Sequence, residues 1–374
     1  RENVLRSMRE KITHRGPDSM GEYYNENISM GFQRLSIIDL ADGSQPMHNE
    51  DGTVTITFNG EIYNFMELRE QLVNAGHIFA TRSDTEVLIH AYEEYGVDML
   101  DRLRGMFSFA IWDDNKKQLF AARDYFGIKP FFYYHNGNDF IYASEIKCIL
   151  EHPYIKREIN LNALESYLSF QYSALPETFF KGIYRLLPAH YLIFKEGELT
   201  IKRYWQPEFK PDEIALDEAV DKIDSVMQDS IKAHMISDVE VGSFLSSGVD
   251  SSYVAATFNG DKTFTVGFDY EKYNEIDYAK ALSEKIQIDN YSKLVSSEEY
   301  WAAIPKIQYH MDEPLADPAA IALYFVSQTA SKHVKVALSG EGADEFFGGY
   351  NIYREPHDLA GFQKLPLGLR KGLA

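Results

Sequence analysis

Along "GTVTITFNGEIYN" the apolar residues Val54, Ile56 and Phe58 alternate with polar ones, the period of a strand with one buried face. Asn59–Gly60 then reads as a turn. "MFSFAIWDDNKKQLFAARD" predicts two strands around a turn at Asp113–Lys117, and "PFFYYHNGNDFIYASE" a hairpin turning at His135–Asn138. Apolar residues at helical spacing predict helices over 64–75 and 84–95, and "RENVLRSMREKITHRGPD" reads as starting inside a helix. Strand-rich stretches with separate helices indicate a layered α+β domain over residues 1–190.

Pro188 and the pair Tyr204–Trp205 mark a change of pattern, and residues 191–212 read as a linker. From 213 the periods alternate. A helix at 216–234 precedes a strand at 239–245, a helix at 251–258, a strand at 262–268 and a helix at 275–286. A short strand near 290–295, helices at 298–309 and 319–332, and a strand at 334–338 complete the series. Strands alternating with helices predict a doubly wound α/β parallel sheet over 213–374.

The 374 residues suit two domains, and 25 Tyr with 24 Phe provide for large cores. A formal charge of −20 is the wrong sign for a nucleic-acid binder. No apolar run reaches the roughly 20 residues of a membrane span. The single Cys148 allows no intrachain disulfide and no cysteine-built zinc site, and it fits a reducing, cytoplasmic compartment. The 11 histidines show no HExxH or comparable metal-ligand spacing.

"VGSFLSSGVDSS" (241–252) ends a strand, passes through a small polar loop and enters a helix. Such a loop can hold a phosphate on its backbone N–H groups. "LSGEGADEFFGGY" (338–350) leaves a second strand in the same way. Neither is a GxxxxGK[ST] loop nor a GxGxxG fingerprint. Carboxylates repel phosphate unless a cation lies between them. Asp250 and Asp344 at neighbouring strand ends therefore suit Mg²⁺ bridging to the pyrophosphate of ATP. Taken alone, Ser251 or Ser252 could instead be a helix N-cap.

"SFLSSGVDSS" resembles the SGGxDS pyrophosphate loop of the ATP pyrophosphatases. With "ALSGEGADEFFGGY" it is similar to the synthetase domain of glutamine-hydrolysing asparagine synthetases. Ser247 stands where that pattern usually has Gly, which is tolerable if the position needs no positive φ. The resemblance implies that Ser246, Ser247, Gly248, Asp250 and Ser251 hold the pyrophosphate. It also places the nucleoside near Leu245, Val266, Ser339 and Gly340, and gives Glu341 a catalytic part in forming an acyl-adenylate.

"HRGPD" (14–18), "RLSIID" (34–39), "NGEIYN" (59–64) and "SDTE" (83–86) resemble the glutaminase domain of the same enzymes. That domain is an N-terminal-nucleophile hydrolase, a four-layer αββα sandwich. The motifs keep family order across nearly the whole chain. Amide hydrolysis forms an oxyanion, for which the Asn59 side-chain amide and the Gly60 backbone N–H are candidate donors. Arg34 suits the α-carboxylate of glutamine by bidentate pairing. Asp84 with Glu61 suits the α-ammonium. The RLSIID resemblance adds Leu35, Ser36, Ile37 and Ile38 to the glutamine pocket. Simpler roles stay open for each: a hairpin turn at Asn59–Gly60, first-turn charge in a Ser83–Glu86 capping box for Asp84, and a surface position for Arg34.

The family nucleophile is a Cys at the mature N-terminus, expected ahead of Arg1, with late synthetase segments expected beyond Ala374. Cys148, in the apolar stretch "SEIKCILEH", reads as packing. The resemblance thus implies conversion of L-aspartate to L-asparagine with L-glutamine as nitrogen donor, through β-aspartyl-AMP and channelled ammonia. Its substrates and cofactor would be glutamine, aspartate, ATP and Mg²⁺, and a homodimer is left open as the assembly. Two rivals remain at this level: a related synthetase acting on another carboxylate, and a non-catalytic paralogue that binds nucleotide or amino acid.

Overall fold

The computed structural model describes residues 1–173, 175–270, 274–314 and 316–373. They form two compact units, Arg1–Val239 with Glu298–Tyr324, and Glu240–Ser297 with Phe325–Ala374. No helix among the described residues is long and apolar enough to cross a membrane.

In the first unit α1 (Glu2–Glu10) precedes the hairpin of β1 (Ser19–Tyr24) and β2 (Ser29–Arg34). Next come β3 (Met47–His48), β4 (Val54–Ile62), α2 (Phe65–Ala75) and α3 (Asp84–Tyr95). Then β5 (Gly105–Asp113) turns into β6 (Gln118–Arg123), and β7 (Phe132–His135) into β8 (Phe140–Ala143), both at the expected places. The short α4 (Ile146–Ile149) and α5 (Leu161–Phe170) lead to β9 (Ile183–Arg185). β10 (His190–Lys195), β11 (Glu198–Arg203) and α6 (Leu216–His234) follow.

Four layers result. The central antiparallel sheet has the order β11-β10-β6-β5-β4-β3. Its one face packs Ile56, Phe107, Phe109 and Phe120 against Leu72 of α2 and Val87, Leu88 and Tyr92 of α3. The other face packs Trp112, Leu119 and Leu192 against Met30 of β2 and Tyr133 of β7. The hairpin β1–β2 and the sheet β8-β7-β9 thus make the second sheet layer. Outside it lie α4, whose Ile146 and Ile149 cover Phe132 and Ile141, and α1, whose Leu5 touches Gly31. β5 is buried on both sides, which is why "MFSFAIW" is apolar at every position except Ser108.

Two expectations are corrected here. Asn59–Gly60 is not a turn: β4 runs straight through it to Ile62, paired with Ser108 and Phe107 of β5. The linker expected over 191–212 begins inside the sheet, because β10 pairs with β6 and carries β11 on its far edge. Helix α6 and residues 298–324 also belong to this first unit.

The second unit contains β12 (Val241–Phe244), α7 (Val249–Thr257), β13 (Lys262–Phe268), α8 (Ile276–Ile286) and β14 (Asp289–Val295). The chain continues through α9 (Ser297–Met311), in the first unit from Glu298 on, and α10 (Ala319–Ala330), which enters the second at Phe325. β15 (Val336–Leu338) and α11 (Ala343–Phe347) follow. The sheet is parallel throughout, in the order β14-β13-β12-β15. Leu245 packs on Ala255 of α7 and Ala279 of α8, while Phe264 packs on Val326 and Ala330 of α10. Helices therefore cover both faces, the doubly wound arrangement expected.

Candidate functional site

A cavity of about 1040 Å³ opens in the first unit, lined by Arg34, Leu35, Ile37, Ile38, Asn59, Gly60, Glu61 and Asp84 among others. Of the residues assigned to a glutamine pocket, only Ser36 is absent from the wall. It is buried, and its backbone N–H donates to Asp18 Oδ2 at 2.9 Å. β4 supplies Asn59, Gly60 and Glu61 in succession. The Asn59 Nδ2 amide is buried and donates to nothing among the described residues. An unpaired buried donor costs about 1–3 kcal/mol, so an orphan at a cavity wall marks a place where a ligand oxygen would be welcome. A Cβ on Gly60 would stand 2.2 Å from Met106 O and 2.8 Å from Phe107 Cα, so β5 admits no side chain there.

The acidic side of the cavity is deeply desolvated. Glu61 and Asp84 are each only 5% exposed. Burial pushes the Glu61 carboxyl up to about 7, with Asp84 adding to the rise and Lys129 opposing it. Burial likewise pushes Asp84 up to about 6, although it accepts the Ile62 N–H at 3.1 Å. Two costly carboxylates beside a cavity favour an entering ammonium, which would repay their ionisation. Lys129, a wall residue with no signal in the sequence motifs, is pulled below the usual lysine range by burial and held up by Glu61. Only the fold brings the loop before β7 to this wall.

Arg34 departs from expectation. Its buried guanidinium donates from Nη2 to Asp39 O at 2.5 Å and to Ile38 O at 3.1 Å, and from Nη1 to Leu40 O at 3.5 Å. A buried cation without an acidic partner takes the carbonyls of its own loop, so three of its five donors are engaged and the bidentate fork is not preformed. The capping box is also half formed. Ser83 Oγ accepts the Thr85 N–H at 3.1 Å, but Glu86 accepts from Ala80 N, Thr81 N and Thr81 Oγ1 instead of returning to Ser83. Cys148 lies at the cavity edge, buried, with its thiol pushed up to about 12 by burial and by Glu145. Such a thiol is a poor nucleophile.

In the second unit the loops after β12 and β15 lie side by side, because those strands are neighbours. Ser246 Oγ meets Ser251 Oγ at 2.8 Å and accepts the Gly248 N–H at 3.1 Å. Neither Ser251 nor Ser252 caps α7. Gly248 holds the N-cap position, and Ser252 Oγ donates to Gly248 O at 2.7 Å. Ser247 does not adopt positive φ, so a side chain fits where the family pattern has Gly. Its hydroxyl donates to Glu275 Oε1 at 2.8 Å, a partner the sequence did not suggest.

Gly340 is where the two loops touch: a Cβ there would stand 2.9 Å from both Asp250 Cβ and Ser251 N. Ser339 Oγ accepts the Glu341 N–H at 3.4 Å, and Asp344 lies in the first turn of α11. Asp250 and Asp344 are half-buried, and among the described residues neither forms an ion pair. Hard oxygen donors on adjoining loops, without a protein cation, fit a Mg²⁺–pyrophosphate ligand. Leu245 and Val266 do not converge on one wall as placed, since Leu245 packs with α7 and α8 and Val266 with the α10 cluster.

Residues 1–205 match the family model described as a glutamine amidotransferase domain, and residues 222–373 the model described as asparagine synthase. "Putative asparagine synthetase [glutamine-hydrolyzing] 2" of Methanocaldococcus jannaschii is 35% identical over 98% of this chain and 76% of its own length. The chain belongs to the glutamine-hydrolysing asparagine synthetase family. Asparagine synthetase [glutamine-hydrolyzing] 1 of Bacillus subtilis is 48% identical over the whole chain and 60% of its own length. A putative asparagine synthetase of Mycobacterium bovis is 43% identical over 97% of the chain and 59% of its own length. The chain thus spans about 60% of these two curated family members. The two matched regions coincide with the stretches that carry the cavity and the paired strand-end loops.

Proposed function

We propose that the protein carrying this chain converts L-aspartate to L-asparagine in the cytoplasm, using ATP and taking its nitrogen from L-glutamine. The observation that carries the reading is the orphan Asn59 amide facing a cavity whose acidic side is Glu61 and Asp84. It supplies an oxyanion donor on one side and an ammonium site on the other. Asn59 Nδ2 and the Gly60 N–H would stabilise the tetrahedral oxyanion as the side-chain amide of glutamine is cleaved. Glu61 and Asp84 would hold the α-ammonium. Arg34 would take the α-carboxylate with the donors its own loop leaves over, and the wall residues Leu35, Ile37 and Ile38 would enclose the substrate.

A free carboxylate is a poor acyl donor, because it has no good leaving group. In the second unit, aspartate would therefore attack the α-phosphate of ATP to give β-aspartyl-AMP and pyrophosphate. Ammonia then displaces AMP from the mixed anhydride. Ser246, Ser247, Gly248 and Ser251 would cradle the pyrophosphate, with the nucleoside near Ser339 and Gly340 and Glu341 at the adenylation centre. Asp250 and Asp344 would hold Mg²⁺, which supplies charge neutralisation of the pyrophosphate.

Amide-labelled glutamine supplied with aspartate and ATP should yield asparagine labelled in its side-chain nitrogen, one AMP and one pyrophosphate per asparagine. Labelled ammonia without asparagine, with aspartate added and ATP consumed, would reject aspartate as the acceptor.

A further inference from the structure

We propose that His77, His90 and Glu93 bind a divalent transition metal ion of the zinc type, through both Nδ1 atoms and one carboxylate oxygen. His77 follows α2, and His90 and Glu93 stand one turn apart on α3. The spacing His77-x12-His90-x2-Glu93 matches no common ligand pattern, so the site is invisible in the sequence. In space the three atoms converge. His77 Nδ1 lies 3.2 Å from His90 Nδ1, His90 Nδ1 lies 2.8 Å from Glu93 Oε2, and His77 Nδ1 lies 3.7 Å from Glu93 Oε2. Ligands at about 2.0–2.2 Å from a tetrahedral zinc ion lie roughly 3.3 Å apart, which is the size of this triangle.

A second observation concerns the far side of each ligand. His77 Nε2 lies 3.3 Å from Glu94 Oε2, and His90 Nε2 lies 3.8 Å from Glu86 Oε1. Asn49 Nδ2 donates to the other oxygen of Glu93 at 2.7 Å. A carboxylate lies beside each outer ring nitrogen and would support the Nε2–H tautomers that ligation through Nδ1 requires, the ion displacing the proton that His90 Nδ1 shares with Glu93 Oε2. A divalent cation between the two Nδ1 atoms and Glu93 Oε2 would take the place of that proton and bring all three atoms into use as ligands. Glu50 and Glu86 add to the negative field at His90. The donor set of two imidazoles and a carboxylate, with one position left for water, suits zinc rather than magnesium or calcium. The bound ion would pin His77, on the segment before Ser83, to the helix that begins with Asp84.

The test uses the protein carrying this chain, stripped of metal with a chelator and dialysed against Zn²⁺. One tightly bound equivalent is expected. His77→Ala and Glu93→Gln should each weaken it by at least about 100-fold, since outer partners alone are worth about 10–100-fold. Both variants should keep the metal-free melting temperature of the parent. Co²⁺ should give the intense visible bands of a tetrahedral site in the parent, and these should vanish in the variants. Absence of a stoichiometric Zn²⁺ equivalent, absence of those Co²⁺ bands in the parent, or a Zn²⁺ equivalent that survives both substitutions would overturn the site.

Discussion

Asn59 is the residue on which the glutamine reading turns. Its Nδ2 has no partner among the described residues, so its value is realised only when an oxyanion forms. Asn59→Ala should lower glutamate release about 100–1000-fold while leaving ammonia-dependent asparagine formation intact. Equal losses in both assays would mean that Asn59 holds the fold rather than the oxyanion. Glu61 makes a prediction of opposite character. Its carboxyl is raised from 4.5 to about 7, so between those values the folded state binds more protons than the unfolded. Stability therefore falls as pH rises through this window, and the loss is full above it, on the order of 3 kcal/mol. Glu61→Gln should melt higher than the parent at about pH 8, with the difference shrinking to nothing near pH 4.5, the ordinary value. A difference equal at both ends would refute the burial account. At this scale the sequence showed residue types but not their partners. Arg34 was legible as a candidate cation for a carboxylate, with a surface position left open, yet its burial and its capture by the carbonyls of Ile38 and Asp39 depend on a loop path that no local pattern specifies.

Elements were easier to read than their neighbours. The hairpins at 105–123 and 132–143 and the helix at 84–95 lie where the apolar and aromatic strand runs with their turn residues and the helical spacing place them. Asn59–Gly60 failed for a physical reason. The dipeptide favours a tight turn locally, but pairing with β5 over nine residues outweighs that preference. Gly is kept there by the closeness of Met106 O, not by turn geometry. β10, and β11 which pairs with it, were missed because β6, the partner that ties β10 into the sheet, lies some 70 residues earlier, and Pro188 looked like a boundary. In the second unit Gly340 lets two loops touch. Gly340→Ala would drive a Cβ into Asp250 and Ser251, so aspartate-dependent pyrophosphate release should fall at least tenfold with glutamate release unchanged. Parental pyrophosphate release from that variant would show that the contact is not part of the site.

Across the whole molecule, two chemistries are assigned to two compact units, and the family membership rests on both matched regions together. The order of motifs made this pairing legible, since each set names one half of a glutamine-dependent synthesis. The segment 298–324 was not legible as part of the first unit. Lys147 with Asp312 at 2.9 Å and Arg185 with Glu313 at 2.6 Å tie it there through partners more than 100 residues away. The central claim is that ATP is spent on aspartate at the loops carrying Asp250 and Asp344. The most direct measurement is aspartate-dependent pyrophosphate release by Asp250→Asn and Asp344→Asn in the protein carrying this chain, with glutamate release followed alongside. The account predicts that pyrophosphate release falls by orders of magnitude in both variants while glutamate release persists. Pyrophosphate release at the parental rate in both folded variants, or release in the parent that does not depend on aspartate, would contradict it.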